Sequence, residues 1–553
     1  MSDPSSSSAA VAGARLLART LQRFGVREVF HIPGEGLLEI LDALADEPDI
    51  GLTTCRHEGG MAYAAQGYAR VSGRPGVCLA ARAPGALNAV LALHTADTDA
   101  VPLILVVGQA ALADGGGDAL SGPDLGQVFQ PLVKGVLVLT SAARIPEVLS
   151  RAWHLASSDR MGPVVILAPE DVMQQTTGAA LLDAPTCTRP APAPTALADW
   201  QALSANVSRP LLLVGGTGWT PRDLEALHRF VQHSGWPVAG AYRRADLIAH
   251  EDQHFVGELG IGIDPALSAA VGEADLVVAL GMRLGEINTF GSGGFGGYRL
   301  LELPRTRQRL VHVHADAREL QRSYQADLAI LSGAGEFLEA AWSLVRPGRA
   351  DIADWCAHLR AARQAFVCTG QCPGPVDLRR VMESLREALP SDCPVCVGAG
   401  AYATWLHRYF SLHRPATLLG PKSGAMGYGL AAAIGAARAR PGRPVVALAG
   451  DGCLLMHGEE LATAVQYGLP IVLLVVNNAS YGAIEGAQRH LFGRAVGTRL
   501  QRLDFAAWAR SHGAAAEVVR TTEAFAPALS RALQCGGPAV VELAVPDGLG
   551  KPR

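Results

Sequence analysis

Short apolar runs alternate along the chain with helical stretches. Leu103-Ile104-Leu105-Val106-Val107, Leu211-Leu212-Leu213-Val214, Leu276 to Leu280, Val445-Val446-Ala447-Leu448-Ala449 and Ile471 to Val476 are such runs. None has the apolar–polar alternation of a strand with one wet face, so each is predicted to be a strand buried on both sides. Strands of this kind separated by helices predict an α/β architecture of mainly parallel sheets flanked by helices. Val11 to Phe24 is predicted as the first helix, and Ala62 to Ala69 as a helix of small residues.

The pattern breaks twice. Ala184 to Leu197 is a Pro/Ala linker holding Pro185, Pro190, Pro192 and Pro194. Arg346-Pro347-Gly348-Arg349 and Cys372-Pro373-Gly374-Pro375 bound a second linker, 346–375. Three domains are therefore expected, over residues 11–183, 198–345 and 376–553, behind a flexible tail at 1–10.

At 553 residues and 49% hydrophobic content the chain has material for several cores. A formal charge of -4 exerts no global pull toward nucleic acid or an acidic membrane. No apolar run reaches the roughly 18 residues that span a bilayer. The Ser-rich start lacks the apolar segment of a signal peptide, so a cytoplasmic protein with small-molecule partners is expected. Ten cysteines in so long a chain argue against a disulfide framework. Cys368, Cys372, Cys393 and Cys396 have a loose zinc-like spacing, but Val395-Cys396-Val397 reads as a buried strand, where a thiol acts as a small hydrophobe. His312 and His314 share one strand face, where a satisfied pair is expected rather than a metal site.

Candidate chemistry concentrates between Asp451 and Asn478. Gly450-Asp451-Gly452-Cys453 follows one buried run; a helix carrying Glu459, Glu460 and Leu461 ends at Gly468-Leu469-Pro470; a second run then leads to Asn477-Asn478. One strand–helix–strand unit of this form delivers Asp451 and Asn478 to the carboxyl-end edge of a sheet, where open α/β sheets bind ligands. Glycine and a helix start favour phosphate there, and oxygen ligands beside phosphate favour Mg²⁺.

This motif resembles the diphosphate-binding motif of thiamine-diphosphate (ThDP) enzymes, and the whole chain resembles their acetolactate-synthase-like branch. The resemblance implies the three-domain ThDP-enzyme arrangement, with 11–183 as the pyrimidine-binding domain, 198–345 as the central domain and 376–553 as the diphosphate-binding domain. It implies Mg²⁺ held by Asp451, Asn478 and Ser480. It places cofactor contacts at Gly400, Ala401, Tyr402, Gly424, Met426, Asp451, Gly452, Cys453, Asn478, Ser480, Tyr481 and Gly482. Met426 stands where the family props the cofactor into a bent shape. Ala401 and Tyr402 are not the usual residues, and Cys453 replaces a usual serine, so its backbone N–H is the expected donor.

Arg56-His57-Glu58, ahead of Gly67-Tyr68-Ala69-Arg70, matches the family's catalytic-glutamate motif. Glu58 would hydrogen-bond a ring nitrogen of the aminopyrimidine; on local grounds it also reads as a first-turn glutamate favoured by the helix dipole. Pro84-Gly85-Ala86-Leu87-Asn88 resembles a family loop, with Ala83 in place of its first glycine, and Gln109 matches a pocket glutamine.

The implied activity is ThDP/Mg²⁺-dependent carboligation: decarboxylation of a 2-oxo acid such as pyruvate, then transfer of the acyl carbanion to a second carbonyl acceptor. After Asn478 the acetolactate synthases carry a Met-Val pair and a Trp; Ala483, Ile484 and Ala487 stand here and imply a wider acceptor pocket. Non-oxidative 2-oxo acid decarboxylation or acyloin cleavage is the alternative. The family also implies a homodimer or homotetramer with its site at a subunit interface. Gly215-Gly216-Thr217-Gly218 ends a strand without the full dinucleotide spacing. It keeps open a Rossmann-type redox protein, and FAD in the central domain is left undecided.

Overall fold

Every apolar run singled out above forms a strand within a parallel six-stranded sheet, and the described residues form three such sheets. The computed structural model describes residues 10–114, 123–291 and 297–552; residues 1–9 of the expected tail lie outside them. The first sheet runs Gly51–Thr54, Glu28–His31, Gly76–Ala81, Leu103–Gln109, Pro163–Pro169, Gly135–Val138. The central sheet runs Phe255–Glu258, Val238–Gly240, Pro210–Val214, Leu276–Leu280, Arg309–His314, Leu328–Leu331. The third runs Leu418–Leu419, Val395–Val397, Val445–Gly450, Ile471–Asn477, Ala539–Ala544, Ala515–Val519. All pairs in these sheets are parallel; a separate antiparallel bridge joins Val11–Ala12 to Thr176–Thr177.

The chain divides into two structural units. The amino-terminal unit holds the first sheet and is completed by residues 431–442 and 457–469; the other holds the central and third sheets. In the amino-terminal unit the helix Glu58–Ser72 is packed too tightly for ordinary side chains: a Cβ on Gly67 would lie 2.0 Å from the Ala432 carbonyl oxygen, and one on Gly435 would lie 1.7 Å from that of Ala64. Backbone-to-backbone approach is what the small residues of this helix permit.

In the third sheet the chain moves outward from Val395–Val397 to Leu418–Leu419, then returns to Val445–Gly450 on the other side. The strand order thus reverses between Val395–Val397 and Val445–Gly450, which opens a crevice at their carboxyl ends. All seven residues of Ile471–Asn477 are buried. At about 1.5–3 kcal/mol for each buried Val, Ile or Leu, these strands form a stiff base for the loops at that edge.

Several local expectations are corrected. Segment 346–375 is not an extended linker: it contains the helix Ala350–Cys368, which buries Ile352, Trp355, Cys356 and Leu359. Its apolar spacing is helical; the Pro/Gly punctuation marks only its ends. The helix Pro194–Ser204 already begins inside segment 184–197, since proline suits a first helical turn. The predicted Val11–Phe24 helix spans Gly13–Arg23, because Val11 and Ala12 join the bridge. The stretch around Pro84–Asn88 is helical, Arg82–Asn88, rather than a loop. Between the two motif halves there are two short helices, Asp451–Leu454 and Glu460–Gln466, not one.

The remaining motifs are locally satisfied. His312 Nε2 lies 2.9 Å from the Met282 carbonyl, and His314 Nδ1 accepts from Asp316 N at 3.0 Å. Cys372 Sγ accepts from Leu378 N at 3.4 Å, and Cys393 donates to the Pro444 carbonyl at 3.3 Å. The Gly215–Gly218 segment is a tight turn: Trp219 Nε1 donates back to the Gly215 carbonyl, and Thr220 and Asp223 form a capping box for the next helix.

Candidate active site

At the crevice of the third sheet, Gly450 ends a buried strand and Asp451 begins a short helix. Asp451 is 5% exposed. Its Oδ1 accepts from Gly452 N at 2.9 Å, whereas its Oδ2 is buried and accepts no hydrogen bond from the described residues. Burial holds its pKa above the usual carboxylate range, against the opposing pull of N–H groups from Gly452, Ala479 and Ser480 and the charge of Arg502.

Asn478 faces the same space. Its Nδ2 donates to the Leu549 carbonyl at 2.9 Å and its Oδ1 accepts from Ser480 N at 3.2 Å. Asn477 has a structural task instead, donating to Glu542 at 2.7 Å and to the Leu503 carbonyl at 2.9 Å. Between Asn478 and Ser480, Ala479 takes a positive φ of 50°, a conformation costly for a residue with a Cβ and often found at functional turns. The Ser480 hydroxyl is engaged: it donates to the Glu485 carboxylate and lies 3.2 Å from the Thr498 carbonyl. That leaves its backbone carbonyl, not its side chain, for the expected metal role.

A cavity of about 470 Å³ opens here, lined by Gly400, Ala401, Tyr402, Gly424, Met426, Asp451, Gly452, Cys453, Asn478, Ser480, Tyr481 and Gly482. The structure therefore brings together every predicted cofactor contact of this unit. Gly452 is a cradle that a side chain would fill, since a Cβ there would lie 2.6 Å from the Tyr481 ring. Cys453 Sγ turns toward the Met426 loop and accepts from Gly427 N at 3.3 Å. Ala483 and Ile484 also line the cavity, but Ala487 does not; Gln488 does. The helix Gly482–Phe492 turns Glu485 inward to Ser480 and Arg489, and that fixes which face meets the cavity. Leu549 and Gly550 form a further wall, tied by Trp405 Nε1 to the Gly550 carbonyl at 3.0 Å; an aperiodic segment of this kind gives no sequence signal.

The amino-terminal unit gathers its motifs at the carboxyl ends of its own strands. Glu58 opens the helix that His57 caps, with His57 Nδ1 accepting from Gly59 N at 3.0 Å. Asn88 Nδ2 donates to Glu58 Oε2 at 2.9 Å. Gln109 ends its strand with a buried Nε2 that makes no hydrogen bond to the described residues. Glu460, read from sequence only as a helix residue, is buried against this loop. Its Oε1 accepts from Arg56 N and His57 N, both at 3.0 Å, and its Oε2 from Thr463 Oγ1 at 2.6 Å. Burial raises the Glu460 pKa, although these donors oppose the shift.

The buried unpartnered oxygen of Asp451, the oxygen of Asn478 and the glycine cradle fit a cation-bridged diphosphate. Comparison with known proteins agrees in kind. Residues 11–131, 200–341 and 398–543 match, respectively, the N-terminal TPP binding domain, the central domain and the C-terminal TPP binding domain of thiamine pyrophosphate enzymes. A probable acetolactate synthase 2 of Oryza sativa subsp. japonica is 34% identical over 85% of this chain and 72% of its own length. Acetolactate synthase 2 of Zea mays is 31% identical over 97% and 85%. The acetolactate synthase large subunit of Corynebacterium glutamicum is 29% identical over 96% and 86%.

Proposed function

Because the chain belongs to the thiamine-diphosphate-dependent enzymes, in their acetolactate-synthase-like branch, we propose that it decarboxylates a 2-oxo acid such as pyruvate and joins the acyl fragment to a second carbonyl compound. The observation that carries this reading is the buried Oδ2 of Asp451, at the cavity, which accepts no hydrogen bond from the described residues. Asp451, Asn478 and the Ser480 carbonyl would hold Mg²⁺, whose charge would offset that of the diphosphate. Gly400 to Tyr402 and the Cys453 N–H would line its seat, and Met426 would pack against the cofactor. When bound, thiamine diphosphate supplies the electron sink for loss of CO₂ and for carbon–carbon bond formation.

Glu58 holds a proton at a ring nitrogen of the aminopyrimidine, with its carboxylate aimed by Asn88. The acceptor side is walled by Ala483, Ile484 and Gln488. Ala483 and Ile484 stand where the family resemblance places a Met-Val pair, so an acceptor bulkier than pyruvate fits this reading. The central turn does not enter it: the adjoining helix start is already filled by Asp223 and Arg189, and no flavin is proposed.

The assembly is a homodimer or homotetramer in which Glu58 of one chain serves the diphosphate seat of another. Mixing Glu58→Gln with Asp451→Asn protein under subunit exchange should restore part of the activity; no recovery would oppose this arrangement. A cytoplasmic location completes the proposal; among the described residues no helix is long and apolar enough to cross a membrane. The deciding experiment is a donor–acceptor screen on protein loaded with ThDP and Mg²⁺, scored for CO₂ and ligated product. CO₂ without ligated product from any acceptor pair would overturn the carboligase reading.

A further inference from the structure

A second cavity in the same unit, of about 350 Å³, shares no lining residue with the first. His250, Arg360, Arg363, Arg379, Glu383 and Arg408 face it, so four guanidinium groups meet one carboxylate. Three of the arginines have structural duties. Arg360 Nη1 donates to the carbonyls of His250 and Phe255, at 2.8 and 2.9 Å. Arg408 donates from Nε and Nη2 to the Phe366 carbonyl, at 3.0 and 2.8 Å. Arg379 Nη1 donates to the Cys368 carbonyl at 2.9 Å, while its Nε lies 3.3 Å from Glu383. The last two thereby satisfy carbonyls at the end of the helix Ala350–Cys368.

Arg363 differs. It is 8% exposed, and among the described residues its guanidinium makes no hydrogen bond or ion pair. Its one ring contact is Phe255, 5.9 Å from the centroid. Burial lowers its pKa to about 10, with the charges of Glu258 and Asp264 pulling the other way and those of Arg360 and Arg408 adding to the lowering, so at neutral pH it stays charged. Buried charges are retained when something pairs with them. A guanidinium fork matches a tetrahedral oxyanion through two parallel N–H bonds.

We propose that this cavity binds a phosphate-class oxyanion, free or borne on a small metabolite, with Arg363 as its buried anchor and Arg360 and Arg379 flanking it. An anion of more than one charge suits a lining that carries four arginines and one carboxylate, Glu383. The cavity lies outside the cofactor seat, so the ligand binds without displacing ThDP.

Calorimetric titration of enzyme saturated with ThDP and Mg²⁺ tests this, using inorganic phosphate and, separately, adenosine 5′-monophosphate at constant ionic strength. One saturable event per chain is expected, weakened at least about 10-fold in Arg363→Met, with ThDP content and basal turnover unchanged. Tighter binding of the nucleotide would identify a metabolite-borne phosphate, and equal binding a free one. No binding of either, or equal affinity in wild type and Arg363→Met, would overturn the proposal. Arg363→Lys and the partly exposed Arg379→Gln provide variants that keep the fold if the methionine variant fails; both should weaken binding. A thermal scan adds an independent reading. Phosphate should raise the melting temperature of wild type and not of Arg363→Met. If Arg363→Met melts well below wild type in phosphate-free buffer while Arg363→Lys and Arg379→Gln bind phosphate as wild type does, Arg363 serves packing on Phe255 instead.

Discussion

Asp223 and Asp451 both lie in the first turn of a helix that follows a buried strand, in two sheets of one unit. Both are almost fully buried, at 3% and 5% exposure. Asp223 has both oxygens taken: Arg189 donates to them at 2.6 and 2.8 Å, and Thr220 N adds a bond at 2.8 Å. Asp451 has one oxygen bonded and one that accepts no hydrogen bond from the described residues. Burial pushes both pKa values up. For Asp223 the Arg189 guanidinium and the Thr220 donors overcome it and leave the pKa below the usual range; for Asp451 the N–H groups of Gly452, Ala479 and Ser480 and the charge of Arg502 do not overcome it. A strand end that the chain itself has finished is a turn. One that it leaves unfinished is a seat for something else.

The comparison can be broken most severely at Asp451. Asp451→Asn should weaken Mg²⁺-dependent ThDP binding by on the order of 100-fold or more, followed by fluorescence titration of apoprotein; wild-type affinity would remove Asp451 from the metal. Glu58→Gln sharpens the contrast between holding a cofactor and handling its proton. It should retain ThDP while turnover falls on the order of 10²–10⁴-fold, and thiazolium proton exchange as fast as wild type would acquit Glu58. Asp223→Asn should leave cofactor affinity intact but lower stability by about 1–3 kcal/mol, read from urea unfolding, because Arg189 loses its bidentate partner. Gly452→Ala should cost about 10-fold in ThDP affinity by driving a methyl into the Tyr481 ring; an unchanged affinity would mean that Tyr481 yields freely.

The smallest effects are in pH, and they have opposite signs. The Asp223 contribution to stability is present above the usual aspartate pKa and is lost as pH falls through its lowered value. The Asp451 pKa is raised, so in apoprotein its contribution is present at low pH and is lost as pH rises through that value. Apo Asp451→Asn should therefore melt slightly higher than apo wild type near neutrality. ThDP affinity, which needs the carboxylate, should fall on acidification at a higher pH than an ordinary aspartate would dictate.

Much of this was readable before the structure. Two-sided burial shows in the Val445–Ala449 and Ile471–Val476 runs because a parallel strand admits no polar alternation. Asp451 and Asn478 were legible because their spacing fits one crossover. Helix phase was not. Ala483 and Ala487 share a face on paper, but Glu485 turning inward to Ser480 sets the rotation, so that Ile484 and Gln488 meet the cavity. The helix Ala350–Cys368 hid behind the Pro/Gly residues at its ends. Arg363 carried no signal, since an arginine on a helix reads as solvated until tertiary packing buries it.

Glu460 binds the loop ahead of Glu58 across a separation of 404 residues, and this bears on how the chain is made. Residues 431–442 and 457–469 complete the amino-terminal unit, so the ribosome delivers most of that unit long before the pieces that close it. Until then the backbone N–H groups of Arg56 and His57 lack their carboxylate, and the small-residue face of the helix Glu58–Ser72 is uncovered. Closure waits for contacts of large sequence separation, which form slowly, and exposed apolar surface in the interval invites chaperones or aggregation. A nascent chain arrested after residue 188 should be cut by protease within 54–72, and one extended beyond residue 469 should resist.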